Sequence, residues 1–134
     1  MSKNKRNKGG VLISGGAGFI GSHTADLCLK NGYQVTILDN LSSKTHSGNW
    51  PKYLDRRIKK IKGDVRSKSS WLKALKGVNY VIHLAAWMDM MPEFSKFFSI
   101  NTVGTANLYE VIIKHNLPVK KIVIASSQFV YGQG

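Results

Sequence analysis

The sequence has a single cysteine, Cys28, in 134 residues. One cysteine excludes a disulfide framework and a cluster of thiolate metal ligands. Cys28 lies between Leu27 and Leu29 in a predicted helix, so we expect it to be a buried structural thiol. The histidines and carboxylates do not have the spacing of metal ligands, and we therefore expect no metal site.

Long apolar runs are also missing from the sequence. No stretch reaches the length that crosses a bilayer, and no charged-then-apolar leader opens the chain. We therefore expect a soluble cytoplasmic protein without a membrane partner. With 43% hydrophobic residues, the chain predicts one domain with a core of its own rather than a disordered segment.

Acidic residues are scarce, because 7 Asp and Glu stand against 20 Lys and Arg and give a formal net charge of +13. Such an excess raises nucleic acid as a possible partner. The basic residues of the N-terminal tail and of residues 56–62 are not interleaved with aromatic side chains that stack on bases. We expect a solvated basic surface and no nucleic-acid partner, with a basic nucleic-acid-binding protein as the remaining alternative.

Three glycines stand three residues apart in the first quarter of the chain: Gly15, Gly18 and Gly21. The apolar run Val11–Ile13 precedes them and a helix-like periodic segment, residues 20–30, follows. This order predicts a strand, a tight turn and a helix whose free N–H groups face an anion such as a pyrophosphate. A glycine-rich loop alone is weak evidence, since ordinary turns share the pattern.

Strand-like and helix-like segments alternate along the rest of the chain. Predicted strands cover residues 10–14, 34–40, 58–62, 78–84 and 120–126; predicted helices cover 18–31, 69–76 and a segment from 93 or 99 to 115. Residues 41–53 read as a loop with at most one helical turn. The alternation predicts an α/β fold, a Rossmann-type doubly wound parallel sheet with strand order 3-2-1-4-5. We expect a basic flexible tail over residues 1–9 and an incomplete dinucleotide-binding domain over residues 10–134.

Ligands of such a sheet bind outside the carboxyl ends of the strands. The second strand ends at Asp39, 18 residues after Gly21, where a carboxylate can accept both hydroxyls of an adenosine ribose. The same charge repels a 2′-phosphate, so the sequence favours NAD over NADP. The alternative is that Asp39 caps a turn with Asn40.

The other strand ends also carry plausible contacts. Asp64 and Val65 follow the third strand, where a side chain can meet the adenine edge. The fourth strand ends at Leu84-Ala85-Ala86, small residues that let a dinucleotide lie flat over the sheet. Ser127 follows the fifth strand, where an isolated serine, without the other motifs, is more typical of a helix cap.

The motifs that carry a family resemblance are, in order, Gly15-Gly16-Ala17-Gly18-Phe19-Ile20-Gly21-Ser22-His23, Asp39-Asn40-Leu41-Ser42, Gly63-Asp64-Val65, His83-Leu84-Ala85-Ala86, Asn101-Thr102-Val103-Gly104-Thr105-Ala106-Asn107-Leu108 and Ser126-Ser127-Gln128-Phe129-Val130-Tyr131-Gly132. The chain resembles extended short-chain dehydrogenases/reductases, and more narrowly the NAD-dependent epimerase/dehydratase group that acts on nucleotide sugars. The stretch from residue 125 to 134 is most similar to sugar-nucleotide 4-epimerases.

The resemblance implies NAD as cofactor, a nucleotide sugar as substrate and a set of residue roles. The implied cofactor-binding residues are Gly15, Gly18, Phe19 and Ile20 at the pyrophosphate, Asp39 and Asn40 at the adenosine ribose with Ser42 and Ser43 near it, Asp64 and Val65 at adenine, and Leu84, Ala85 and Ala86 packed on the cofactor, with Asn101 supporting that wall. Ser127 matches the catalytic Ser/Thr that hydrogen-bonds the sugar hydroxyl being oxidised. The resemblance makes His83 a structural residue.

The sequence departs from the family because it has no Tyr-x-x-x-Lys pair, the family's general base and its lysine partner. Tyr131 belongs to a Val-Tyr-Gly turn and is not a substitute. We therefore expect the N-terminal part of a longer epimerase, inactive by itself, with a homodimer possible. Epimerisation is preferred to dehydration, and a non-catalytic dinucleotide-binding or regulatory module is the alternative.

The segment from Trp87 to Pro92 contains three methionines: Met88, Met90 and Met91. In the family this loop overhangs the nicotinamide and the substrate, so an apolar version would shape a sugar pocket. Core packing and exposure of the surface are the other two interpretations. A paired-carboxylate site at Asp89 and Glu93 is disfavoured.

Overall fold

A computed structural model describes residues 7–90 and 93–132 of the chain. One parallel sheet of five strands has the order β3-β2-β1-β4-β5. The strands are β1 (Gly10–Ser14), β2 (Gln34–Asp39), β3 (Lys59–Lys62), β4 (Tyr80–His83) and β5 (Lys121–Ile124). The helices are α1 (Phe19–Lys30), α2 (Ser43–His46), α3 (Lys68–Ala74), α4 (Phe94–Lys96) and α5 (Gly104–Lys114), with a π-helical stretch at Phe97–Val103 and a 3₁₀ turn at Gln128–Tyr131. The predicted fold class and strand order are confirmed.

Strand β1 is the centre of the sheet, and all five of its residues are buried. Val11 pairs with Val35 of β2 on one side and with Tyr80 of β4 on the other. Strand β4 begins two residues later than predicted. The reason is that the Val78 N–H donates to the Leu75 carbonyl, which closes the turn after α3 before pairing with β1 begins.

Alternate residues of the strands enter two separate cores, one on each face of the sheet. Leu12 and Leu38 pack with α3 and α5, whereas Ile13 and Ile37 pack with α1. A sheet that is covered on both faces needs near-continuous apolar strands, and β1 and β2 have them. Because alternate strand residues need cover on opposite faces, helices pack on both sides of the sheet, which is the doubly wound arrangement.

The predicted long helix is present, as a continuous rod from α4 through the π-helical stretch to α5. The sequence did not indicate the π-helical turns, which are frequent at functional sites. At the junction, a Cβ on Gly104 would lie 2.8 Å from Val65 Cγ2. The rod thus packs closely on the segment that follows β3.

Two expectations need correction or restriction. Cys28 is half-buried rather than fully buried; it packs at the margin of the α1 core, and burial raises the pKa of its thiol. Residues 1–6 of the predicted flexible tail lie outside the part of the chain that the structure describes. No described helix is both long enough and apolar enough to cross a membrane.

Candidate dinucleotide site

The carboxyl ends of the first four strands open into a cleft of about 260 Å³. It lies where the strand order reverses between β1 and β4, the position at which doubly wound sheets bind ligands. Ten predicted cofactor residues line it: Gly15, Gly18, Asp39, Asn40, Ser42, Asp64, Val65, Leu84, Ala85 and Ala86. The predicted residues Phe19, Ile20, Ser43, Asn101 and Ser127 are not among the residues that line it.

The glycine loop (residues 15–18) fits tightly between its neighbours. Gly15 has φ +68°, and a Cβ there would lie 2.9 Å from the Ala85 amide nitrogen. A Cβ on Gly21 of α1 would lie 2.3 Å from the Gly15 carbonyl oxygen. Glycine at these two positions lets the loop, the helix and the end of β4 approach each other.

The start of α1 is uncapped and faces open space. Its N-cap, Gly18, supplies no side-chain hydrogen bond, and the first helical bond runs from the Ser22 N–H to the Gly18 carbonyl. The N–H groups of Phe19 and Ile20 therefore have no intrahelical acceptor. A Cβ on Gly18 would meet only the Gly15 oxygen, at 3.4 Å, so the space beyond it is free for a ligand. Free amides and the positive end of the helix dipole suit a phosphate.

Asp39 is buried and holds two backbone segments together. Its Oδ2 accepts from the Ala17 N–H at 3.0 Å and its Oδ1 accepts from the Leu41 N–H at 2.9 Å. Asp39 therefore does cap the turn that follows β2, as the alternative interpretation proposed, and it also lines the cleft. A carboxylate has about four acceptor positions, so two remain after these bonds for ribose hydroxyls.

Tyr53, which sequence reasoning did not single out, completes the support of the glycine loop. Its hydroxyl donates to the Ala17 carbonyl at 2.5 Å, while the Ala17 N–H is held by Asp39. Both polar backbone groups of Ala17 are thus occupied by side chains. No signal in the irregular segment before β3 pointed to this contact.

At the end of β3, Asp64 forms a bidentate ion pair with Arg66, with 2.7 Å between Arg66 Nη2 and Asp64 Oδ2. The Arg66 guanidinium, with a further hydrogen bond from Asn40, lowers the pKa of Asp64. The Val65 side chain is buried in the core although the residue lines the cleft. Asn107 of α5, which the sequence placed in the motif of residues 101–108 without a role, donates to the Arg66 carbonyl at 2.9 Å.

A buried hydrogen-bonded chain joins the ends of β1 and β4 to the helical rod. The Ser14 hydroxyl accepts from the Leu84 and Ala85 N–H groups, both at 3.2 Å, and therefore donates to His83 Nδ1, 2.5 Å away. His83 Nε2 then donates to the Thr105 hydroxyl at 3.0 Å. Burial lowers the pKa of His83 to about 4, which keeps the imidazole neutral. The structural interpretation of His83 agrees with these contacts.

Asn101 lies in the π-helical stretch and holds the Trp87 peptide from both sides. Its Oδ1 accepts from the Trp87 N–H at 2.7 Å and its Nδ2 donates to the Trp87 carbonyl at 3.1 Å.

The interpretation of the methionines as core residues is wrong for Met88 and Met90, whose side chains are 83% and 99% exposed. Met88 also lines the cleft. Met91 lies outside the described residues.

Ser127 follows β5 and is exposed. Its hydroxyl accepts from the Phe129 N–H at 3.2 Å, which is the capping contact of the 3₁₀ turn.

Among residues 7–90 and 93–132, no group of His, Cys, Asp and Glu could hold a metal ion.

Comparison with known proteins identifies several UDP-glucose 4-epimerases as relatives, with a dTDP-L-rhamnose 4-epimerase and a UDP-N-acetyl-α-D-glucosaminuronate decarboxylase beside them. The bifunctional UDP-glucose 4-epimerase and UDP-xylose 4-epimerase 1 of Pisum sativum is 37% identical, over 92% of this chain and 38% of its own length. The putative UDP-glucose 4-epimerase of Methanocaldococcus jannaschii is 38% identical, over 92% of this chain and 40% of its own. The chain thus spans about two fifths of the length of these relatives.

A solved structure shows the same fold. The UDP-glucose 4-epimerase of Thermotoga maritima, determined with UDP-glucose, superposes with a TM-score of 0.79 at 32% identity, over 93% of this chain and 40% of its own. These relatives support the nucleotide-sugar epimerase group and give no support to a non-catalytic module. A model of the NAD-dependent epimerase/dehydratase family matches residues 11–134. The chain therefore belongs to that family, whose cofactor is NAD, as the sequence predicted.

Proposed function

We propose that this chain binds NAD as the cofactor-binding part of a nucleotide-sugar 4-epimerase. The uncapped start of α1 beside the Asp39 carboxylate is the observation that carries the proposal. The first feature suits two phosphates and the second suits a ribose with free hydroxyls. Because they lie on the same cleft, one dinucleotide can engage both.

The proposed orientation follows from the positions of these groups. The pyrophosphate lies on the N–H groups of Phe19 and Ile20, and Asp39 accepts from the adenosine ribose. The Asn40, Ser42 and Ser43 segment borders that ribose, while Leu84, Ala85 and Ala86 form a flat wall along β4. Since a carboxylate repels a 2′-phosphate, NAD is favoured over NADP.

The proposed chemistry is a reversible oxidation at one carbon of the sugar. When bound in the cleft, NAD would supply the acceptor for a hydride from that carbon and, in its reduced form, the donor for its return. Ser127 is proposed to hold the hydroxyl oxygen while its proton leaves and a carbonyl forms. We assign the general base to no residue of this chain. The UDP-glucose 4-epimerases among its relatives support the choice of 4-epimerisation.

Titration calorimetry with NAD and NADP tests the cofactor part of the proposal. We expect NAD to bind and NADP to bind at least tenfold more weakly; a folded chain that gives no heat with NAD contradicts the assignment. Asp39→Ala should remove the preference for NAD. Asp55→Ala is the matched control, because Asp55 is paired with Arg57 and does not line the cleft.

The substrate part needs a direct product analysis. Because no residue of this chain is assigned as general base, the complete epimerase of which the chain is the proposed cofactor-binding part is incubated with NAD and UDP-glucose, and the sugar products are identified by NMR. Inversion at C4 supports epimerisation, whereas loss of water from the sugar contradicts it. A parallel incubation with the dTDP sugar that a relative epimerises tests the choice of nucleotide.

A further inference from the structure

An ion pair crosses the cleft above the end of the central strand. Lys44 of α2 follows β2, Asp89 follows β4, and the Lys44 ammonium pairs with the Asp89 carboxylate. In the sheet β2 and β4 are not neighbours, because β1 lies between them. Two strand spacings amount to about 9.6 Å, so this contact spans the crevice into which the glycine loop opens.

The Trp87 ring lies next to the ammonium group of this ion pair. The Lys44 ammonium lies 5.1 Å from the centre of the Trp87 ring, and the Lys96 ammonium lies 4.6 Å from it. Both distances are within the range of cation–π attraction. Asn101 hydrogen-bonds both the N–H and the carbonyl of Trp87, so the backbone that carries the ring is held in place. The Asp89 side chain is only 16% exposed, which shields its charge more than that of an open surface pair.

We propose that Lys44, Asp89 and Trp87 form a bridge over the dinucleotide cleft that retains the bound dinucleotide. Lys44 and Trp87 both line the cleft, whose floor includes Gly15 and Ala85. A dinucleotide that runs from the β2 side to the β4 side passes beneath the contact. Its release then requires the ion pair and the stacking on Trp87 to open.

Retention matters for the reaction proposed above, on which this inference rests. A cofactor that takes a hydride and later returns it must stay bound in both redox forms. Escape of the reduced form would leave an oxidised sugar that cannot be returned to product. Lys44, Asp89 and Trp87 are positioning residues in this scheme, since none of them needs to touch the reacting atoms.

The test measures how fast NADH leaves the protein. NADH is bound, an excess of NAD is added, and the loss of bound NADH fluorescence is followed by stopped flow. We expect Lys44→Ala and Asp89→Ala each to raise the dissociation rate about three- to tenfold. The double variant K44D/D89K, which restores an ion pair in the reverse order, should recover most of the wild-type rate. Raising the ionic strength from about 0.01 M to about 1 M should speed release from wild type more than from Lys44→Ala.

Lys68→Ala is the matched control, because Lys68 forms an ion pair with Glu110 and does not line the cleft. Its release rate should equal that of wild type. Slower release from Asp89→Ala would show that Lys44 holds the ligand directly and would overturn the bridge, as would unchanged rates in both single variants. Failure of wild type to bind NADH or NAD would overturn the proposed function, and the bridge with it.

Discussion

The Asp39 carboxylate at the end of β2 accepts a hydrogen bond from the Ala17 N–H of the glycine loop, over 3.0 Å. The predicted ribose ligand is thus also a support of the predicted phosphate loop. Because the same side chain would serve both, the proposed recognition of the ribose is coupled to the shape of the loop.

This coupling predicts the effect of Asp39→Asn. An amide keeps one acceptor oxygen and places an NH₂ group against either the Ala17 or the Leu41 N–H. Leaving a buried donor unsatisfied costs about 1–3 kcal/mol. We expect the free energy of unfolding to fall by that amount and NAD affinity to fall at least tenfold, as measured by urea denaturation and calorimetry. Asp55→Asn, at a carboxylate that is paired with Arg57 and does not line the cleft, should leave NAD affinity unchanged and lower the free energy of unfolding less than Asp39→Asn does.

Two glycines of the same motif should respond differently to alanine. Gly18→Ala adds a Cβ that meets only the Gly15 oxygen, at 3.4 Å, so stability should change by less than about 1 kcal/mol while NAD binding is lost. Gly21→Ala puts a Cβ 2.3 Å from the same oxygen and should destabilise the fold by several times as much. Thermal unfolding with and without NAD separates the two effects. Equal destabilisation by both substitutions would contradict the assignment of the space beyond Gly18 to a ligand.

His83 should make stability depend on pH. Its pKa in the folded protein is about 4, below the usual value of 6.5, so the unfolded chain takes up the proton first as the pH falls. The free energy of unfolding should therefore decrease between about pH 6.5 and pH 4, by up to ~3 kcal/mol. Urea denaturation across this range measures the loss. His83→Gln should flatten the profile.

Ser127→Ala separates the proposed catalytic role from the observed capping role. Loss of the cap to the Phe129 N–H should cost about 1 kcal/mol of stability. NAD affinity should stay within twofold of wild type, because Ser127 does not line the cleft. In an assay of C4 inversion by the complete epimerase that would contain this chain, turnover should fall by at least a hundredfold. Ser126→Ala is the neighbouring control, and equal turnover of the two variants would remove Ser127 from the reaction.

The sequence alone determined the parallel sheet and its strand order, because apolar strands alternating with helical segments admit few other arrangements. It also located the glycine loop and Asp39, since the spacing of the glycines and the position of an acidic residue at a strand end are local features. The fold and the cofactor class could therefore be predicted from the sequence.

Only the tertiary structure decided which side chains support that site. Tyr53 holds the Ala17 carbonyl from 36 residues away, and Lys44 meets Asp89 across 45 residues. His83 is buried between Ser14 and Thr105, which no periodicity indicates. Such contacts depend on how separate segments come together in the folded sheet, whereas the glycine motif depends on the backbone of one short segment.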